Sequence, residues 1–180
     1  MFSKFIKWLK DLFKQPAPAP VLPEVPPAKE LPASDADYKS LPWMKLAYSY
    51  VGVHEIAGAR AHPKIAEWLK AVGQNGSDEI AWCAAFANGV LRESGYKATK
   101  KATARSLLDL PGKLDHPKPG SIVVFWRGSI TGWQGHVGFV EKVSSDGKSI
   151  RVLGGNQSDE VNSSWYSVDR VLGYRWPEKV

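Results

Sequence analysis

The chain has 180 residues, of which 43% are hydrophobic, a formal net charge of +6 and a single cysteine. This length suits one domain of ordinary size plus an appendage, and no apolar run of about 20 residues is present to cross a membrane as a helix. A lone cysteine excludes an internal disulfide, whereas the positive charge is compatible with anionic polymers such as nucleic acid, anionic lipid or bacterial cell wall.

Residues 1–15 predict a basic amphipathic helix, because lysines occupy one side and apolar residues the other. Such a helix would reach only ~20 Å, which is short of the ~30 Å hydrocarbon core of a bilayer. The lysines also interrupt the apolar region that a cleavable signal peptide requires. The composition suits a helix at an anionic membrane surface, and the alternative is a helix docked on its own domain. The apolar side holds Phe2, Phe5, Ile6, Trp8, Leu9, Leu12 and Phe13.

Residues 16–34 predict a linker, since they hold about half of the chain's 13 prolines. Proline-rich segments favour extended polyproline conformations and cannot form a packed core. This linker separates the first helix from a predicted domain that spans residues 35–180.

Helical periodicity in this domain predicts helices over residues 41–52, 63–72 and 80–95, followed by a short helix at 104–108. Cys83 falls in the first turn of the third helix, where the helix dipole and the free backbone N–H groups favour a thiolate and lower its pKa. A free cysteine is also commonly a small core residue, so its partners must decide between the two interpretations.

The second half of the domain changes to the pattern of strands. Helices followed by strands predict an α+β fold, with an antiparallel sheet packed against the helix that carries Cys83. The strands are predicted at residues 121–126, 135–143, 149–153, 164–167 and 171–176.

His136 is the histidine best suited to act as a base toward Cys83. It lies inside a predicted strand, and the missing side chains of Gly135 and Gly138 leave room for another group to approach. A lone strand histidine is more often structural, so a third residue that orients the imidazole would strengthen the hypothesis.

The hairpin after His136 supplies a candidate for this third residue. A three-residue loop at 145–147, with Gly147 in the left-handed conformation, would place His136 opposite Asn156 on one face of the sheet, with Cβ atoms ~4.5–5.5 Å apart. A loop one residue shorter would turn Asn156 to the other face and make Gln157 the next candidate.

Four blocks of the sequence occur in the order seen in the CHAP family of cysteine, histidine-dependent amidohydrolases and peptidases, which are relatives of the NlpC-type endopeptidases. The chain resembles this family over residues 41–177, and resembles in particular its members in phage and prophage lysins. The blocks are residues 82–86, 117–125, 135–140 and 154–157.

The resemblance implies a papain-like fold that hydrolyses an amide bond of peptidoglycan. Cys83 would be the nucleophile, His136 the general base and Asn156 the residue that orients His136, with the backbone N–H of Cys83 stabilising the oxyanion. Many family members carry a glutamate where this chain has Gly154, which leaves the exact role of Asn156 open. The residues expected to line the substrate groove, or else to pack locally, are Trp82, Trp133 and Gln134.

The sequence therefore predicts an endolysin-like peptidoglycan hydrolase that is a monomer, is made in a bacterial cytoplasm and acts on the cell wall. The alternatives are an interbacterial effector amidase or acyltransferase of the same fold, and a cell-wall-binding module without catalysis. No nucleic-acid-binding motif is found, and neither a His-Glu-x-x-His helix nor paired cysteines indicate a metal site, so no cofactor is expected. Which amide bond is cut stays open.

Overall fold

The computed structural model describes residues 38–56, 62–76 and 80–180. The predicted amphipathic helix at 1–15 and the predicted linker at 16–34 lie outside the described residues.

Three α-helices precede the sheet, as the periodicity predicts: α1 is Pro42–Ser49, α2 is Pro63–Ala71 and α3 is Cys83–Glu93. Proline opens α1 and α2, where its missing N–H would have had no helical partner. Among these described helices, none combines the length and apolar character needed to cross a membrane. The predicted short helix is a 3-10 helix, and the 3-10 segments are Tyr38–Ser40, Ala104–Asp109 and Val168–Arg170.

The six strands form one antiparallel sheet in the order β1-β6-β2-β3-β4-β5. The expected α+β fold is therefore confirmed. The first strand was not predicted, because two residues are too short to show an alternating pattern. The strands are β1 (Lys113–Leu114), β2 (Ile122–Trp126), β3 (Gly135–Val143), β4 (Ser149–Gly154), β5 (Asn162–Ser167) and β6 (Val171–Arg175).

The two faces of the sheet bury different sets of side chains. One face packs against the three α-helices to form the main core, to which it contributes Ile122, Val124, Val137, Phe139 and Leu153. The opposite face carries a smaller apolar cluster, whose buried members are Val123, Phe125, Val140, Ile150, Val152 and Tyr174. His136 lies directly opposite Phe125 in the β2–β3 ladder and so shares this second face.

The β3–β4 hairpin differs from the expected register at its turn. The Ser144 N–H bonds to the Ser149 carbonyl at 2.8 Å, so the loop has four residues, 145–148, rather than three. A β-bulge between Val140 and Lys142 then shifts the pairing by one residue. Beyond the bulge, Phe139 pairs with Leu153, as the three-residue loop would have required.

The packing of α2 on α3 depends on the absence of a side chain at Gly89. A Cβ at this position would lie 2.3 Å from Cδ1 of Trp68, a fully buried residue of α2. The Trp68 indole is also held by its Nε1–H, which donates to Glu93 Oε1 at 3.1 Å. The ring therefore has little freedom to move away.

We expect the Gly89→Ala substitution to lower the free energy of unfolding by about 1–3 kcal/mol, which is the usual cost of overpacking a core. In an uncrowded helix the same change would raise stability by roughly 0.5–1 kcal/mol, so the sign of the effect is diagnostic. Urea denaturation would measure it. Gly132→Ala is a matched control, because the atom nearest to its Cβ would be the Ser129 carbonyl oxygen at 3.4 Å, an ordinary contact distance. A stabilised Gly89→Ala variant would contradict the packing described here.

Candidate active site

Cys83 is the first residue of α3, and only 5% of its surface is exposed. Burial raises the pKa of the Cys83 thiol, while the backbone amides of Val137 and Ala84 and the positive charge of Arg127 act in the opposite direction. The helix N-terminus does act to lower this pKa, but burial outweighs it, so the expected net lowering of the thiol pKa is not found. The free-energy cost of removing the thiolate from water exceeds the stabilisation that the helix N-terminus and the nearby positive charge provide.

His136 is buried near the start of β3 and is enclosed by aromatic rings. Its imidazole stacks on Tyr166 of β5 with 4.9 Å between ring centroids, and on Phe125 with 6.4 Å. Burial lowers the pKa of His136 to about 4, and the charges of Arg127 and Arg170 also lower it. The hydrogen bond that the imidazole donates to Gln157 Oε1 acts in the opposite direction. The imidazole is therefore neutral at physiological pH.

The side chain that orients His136 is Gln157, whose Oε1 lies 3.0 Å from Nε2 of the imidazole. The Gln157 amide cannot be reversed without loss, because its Nε2 donates to the Asn162 carbonyl at 2.6 Å and to Asn162 Oδ1 at 3.0 Å. Its oxygen consequently faces the imidazole, and the proton of the neutral ring sits on Nε2. The other ring nitrogen, Nδ1, keeps a lone pair that can accept a proton.

Gly154 provides the space that Gln157 occupies. A Cβ at Gly154 would lie 2.9 Å from Gln157 Oε1 and 3.2 Å from its Cδ. A side chain at position 154 and the amide of Gln157 therefore exclude each other, and the glycine is a condition for the contact with His136.

Asn156 does not reach His136, and the prediction that it faces the imidazole is wrong. The strand β4 ends at Gly154, and Asn156 has a φ of 57°, so the alternation of faces stops before it. Its Nδ2 instead donates to Glu55 Oε1 at 2.9 Å. Gln157, the next candidate from the sequence for the residue that orients the imidazole, lies next to His136 instead.

Glu55 joins the two segments that carry Cys83 and Gln157. The same Oε1 that accepts from Asn156 also accepts from Nε1 of Trp82 at 2.7 Å. The carboxylate thus binds the residue before the nucleophile and the residue before the orienting amide. It fixes the start of α3 relative to the loop after β4.

A hydrogen bond and an electrostatic interaction indicate that Cys83 lies near His136. The backbone amide that acts on the thiol belongs to Val137, the residue that follows His136 in β3. The charge of Cys83 also contributes, after burial, to raising the pKa of Tyr166 to about 12, and Tyr166 stacks on His136. The structure therefore brings together a thiol, a neutral imidazole and an amide that orients it, which are the groups that thiol catalysis requires.

The three residues predicted to line a groove have different environments. Trp82 has no exposed surface and therefore cannot line a groove, since it packs against Gly155 and binds Glu55. Trp133 is 75% exposed, and Gln134 next to it is also exposed. These two residues lie in the loop at 127–134 between β2 and β3, and their role as a substrate surface stays a prediction.

Arg105 holds this loop in place. Its guanidinium donates to three backbone carbonyls, from Ser129, Ile130 and Gln134, each at 2.9 Å. The loop is therefore fixed by one side chain from the 3-10 segment Ala104–Asp109, which packs near the start of β3.

Sequence patterns did not identify Glu55, Arg105 or Arg127 as parts of this region. Glu55 and Arg127 lie in loops and Arg105 lies in a short 3-10 segment, where no periodicity points to a face. Within the described ranges, no group of three or more His, Cys, Asp and Glu side chains gathers as a metal site would require.

Comparison with known proteins agrees with the motifs. Residues 74–156 match the family model of the CHAP domain. Among solved structures, a similar chain is a protein of Staphylococcus aureus subsp. aureus Mu50 described as similar to lipoprotein, NLP/P60 family, with 14% sequence identity and a TM-score of 0.42. That match covers 82% of this chain and 43% of the other, so this chain spans less than half of its length. No curated protein matches the chain at a significant level.

Proposed function

We propose that this chain, whose residues 74–156 match the family model of the CHAP domain, is an endolysin-like enzyme that hydrolyses an amide bond of peptidoglycan by cysteine catalysis. The observation that carries the proposal is the hydrogen bond between Nε2 of His136 and Oε1 of Gln157 at 3.0 Å. Gln157 holds the proton on Nε2, which leaves Nδ1 free to act as a base toward the nearby thiol.

In this mechanism the resting pair is neutral, because burial raises the pKa of Cys83 and lowers that of His136 to about 4. Nδ1 of His136 takes the thiol proton as the sulfur attacks the amide carbonyl carbon, forming a tetrahedral oxyanion next to the backbone N–H of Cys83. His136 then returns the proton to the leaving amine as the C–N bond breaks. Water, deprotonated by His136, releases the acyl group and restores the thiol.

The alternatives of an effector amidase and an acyltransferase use the same thiol and the same base. They differ in the cell that supplies the substrate or in the group that accepts the acyl fragment, and a non-catalytic wall binder would release no fragment. Mass spectrometry of fragments released from purified peptidoglycan tests the proposal. We expect products that carry one added water, and their termini identify the bond that is cut. Products joined to an added amine in place of water would favour an acyltransferase.

For residues 1–15 we propose a targeting role, in which a basic amphipathic helix holds the enzyme at an anionic membrane while the proline-rich segment lets the domain reach the wall. Attraction to an anionic membrane surface contributes a binding free energy of ~1 kcal/mol per basic residue, and salt weakens this attraction. An enzyme made in a host bacterial cytoplasm would use this during its action on the wall. The domain alone needs neither segment for chemistry.

Removal of residues 1–34 should leave hydrolysis of purified peptidoglycan intact and reduce binding to phosphatidylglycerol vesicles by about 10-fold or more. Cosedimentation with vesicles measures the binding. A full-length variant with Lys4, Lys7, Lys10 and Lys14 replaced by glutamine is the matched control, and it should lose the salt-sensitive part alone. Undiminished vesicle binding by the truncated protein would refute the targeting role, and its unfolding would show that the first helix belongs to the core.

A further inference from the structure

Arg127 lies at the end of β2, beside the candidate active site. In the β2–β3 ladder Phe125 pairs with His136 and Trp126 pairs with Gly135, so Arg127 follows directly at the open end of the ladder. β2 itself ends at Trp126, and Arg127 is the next residue, two positions after Phe125, which shares the face of His136. The backbone of Arg127 stays tied to the neighbouring strand, because its N–H bonds to the Gln134 carbonyl at 3.4 Å.

A second arginine reaches the same strand end from the segment after β5. The guanidinium of Arg170 donates to the Trp126 carbonyl from Nε at 3.2 Å and from Nη2 at 3.0 Å, and it lies over the Trp126 ring. The guanidinium of Arg170 and the residue Arg127 therefore lie at the same end of β2.

Neither arginine is neutralised by an acidic side chain that the structure describes. Among residues 38–56, 62–76 and 80–180, the ion pairs include neither Arg127 nor Arg170. Asp169 is next to Arg170 in the chain, but its carboxylate accepts from Ser167 Oγ at 3.3 Å. The side chain of Arg127 is exposed and forms no hydrogen bond within the same described part of the chain. In this it differs from Arg105, whose guanidinium donates to three carbonyls.

The positive charge of Arg127 acts on the side chains of the candidate active site. Its charge acts on the pKa values of Cys83, His136 and Tyr166, and that of Arg170 acts on His136 and Tyr166. An unpaired guanidinium within this range would attract an anionic group of a bound substrate to the vicinity of the scissile bond.

We propose that Arg127, supported by Arg170, binds a substrate carboxylate next to the cleaved amide, so that the enzyme prefers wall peptides in which the scissile bond is flanked by a free carboxylate. This inference rests on the proposed function and specifies its substrate class. A guanidinium can hold a carboxylate through two parallel hydrogen bonds, which gives geometric selection as well as attraction.

Soluble muropeptides from one peptidoglycan preparation provide the test, used either untreated or after conversion of their carboxylates to carboxamides. We expect the full-length protein to cleave the untreated muropeptides with a KM about 10-fold lower than the amidated ones, with a smaller change in kcat. Arg127→Ala should remove this preference, and Arg127→Lys should keep part of it. Lys148→Ala, which loses the same charge in the exposed β3–β4 loop, should keep the full preference.

The outcomes separate this inference from the proposed function. Equal cleavage of the two substrates by the unmodified protein, or an unchanged preference in Arg127→Ala, would overturn carboxylate recognition while leaving hydrolysis established. Absence of cleavage of either muropeptide by the unmodified protein would overturn the proposed function and the inference together. Circular dichroism of each variant verifies that the fold is intact.

Discussion

Replacement of Cys83 by serine should reduce release of peptidoglycan fragments by about 10³-fold or more, because a serine hydroxyl in this setting is a far weaker nucleophile than the thiol. The fold should persist, since the two side chains have similar size and a cost of about 1 kcal/mol would shift the melting temperature by about 2–4 °C. Turnover of purified peptidoglycan, followed by mass spectrometry, measures the loss.

The single cysteine makes the chemical control unambiguous. Iodoacetamide should inactivate the unmodified protein, and because Cys83 is the chain's one cysteine, the labelled site is known in advance. Alkylation should have no effect on the residual activity of the serine variant. Undiminished release of peptidoglycan fragments by the Cys83→Ser variant would contradict the proposed mechanism.

Replacement of Gln157 by alanine should lower kcat/KM by about 10²- to 10³-fold, because the His136 ring would lose the acceptor that fixes its tautomer and orientation. Nuclear magnetic resonance of the imidazole nitrogens would report the same loss as a mixture of tautomers, a signature that a merely structural defect would not produce. Asn156→Ala is the matched control, since its amide binds Glu55 and not His136. A larger loss in Asn156→Ala than in Gln157→Ala would restore Asn156 as the third residue.

Gly154 permits a sharper version of this test. Gly154→Glu alone should also lose activity, because the new side chain would displace the Gln157 amide that lies 2.9 Å from the Cβ position. In the double variant Gly154→Glu, Gln157→Ala, the glutamate can occupy the vacated space and accept from Nε2 of His136. We expect this double variant to recover part of the activity that Gln157→Ala loses, and a strictly additive loss would show that the two positions do not compete for one site.

Periodicity and motif spacing were sufficient for the fold and for the two elements that carry Cys83 and His136. The helix that begins at Cys83 and the strand that contains His136 follow from local patterns of apolar residues, which packing then reinforces. Glycines next to His136 correctly indicated a close approach, since a Cβ at Gly135 would lie 2.7 Å from the Phe125 carbonyl. These features depend on neighbours in sequence or on one ladder.

The third residue could not be obtained in the same way. The prediction of Asn156 assumed that β4 continues as a regular strand through this residue. The chain instead leaves the strand and has left-handed conformations at Asn156, Ser158 and Asp159, with φ values of 57°, 53° and 62°. Such conformations cost energy and persist only where other contacts impose them. Here Glu55, which is 101 residues away in the chain, supplies one of these contacts. The sequence around Asn156 gives no indication of this contact.

The burial of Trp82, which was predicted to line a groove, also depends on a contact with a distant part of the chain. An aromatic residue next to a reactive cysteine suggests a surface that binds substrate, yet its ring packs where a Cβ at Gly155 would lie 2.4 Å from Cζ3. A glycine in a distant loop therefore decides that this indole is core. The exposed indole of Trp133 lies in a loop whose position depends on Arg105, and the sequence alone could not distinguish the two environments.

The bulge between Val140 and Lys142 makes the two ends of the β3–β4 hairpin independent of each other. Because two residues of β3 oppose one of β4 there, an added residue in the turn is absorbed before the ladder reaches Val140 and Val152. The turn at 145–148 can therefore vary in length over evolution or accept an inserted peptide tag, while the ring of His136 keeps its face of the sheet. Deletion of Glu141 would remove this tolerance, since every side chain from Val140 back to His136 would then have to exchange faces or the turn would have to be rebuilt.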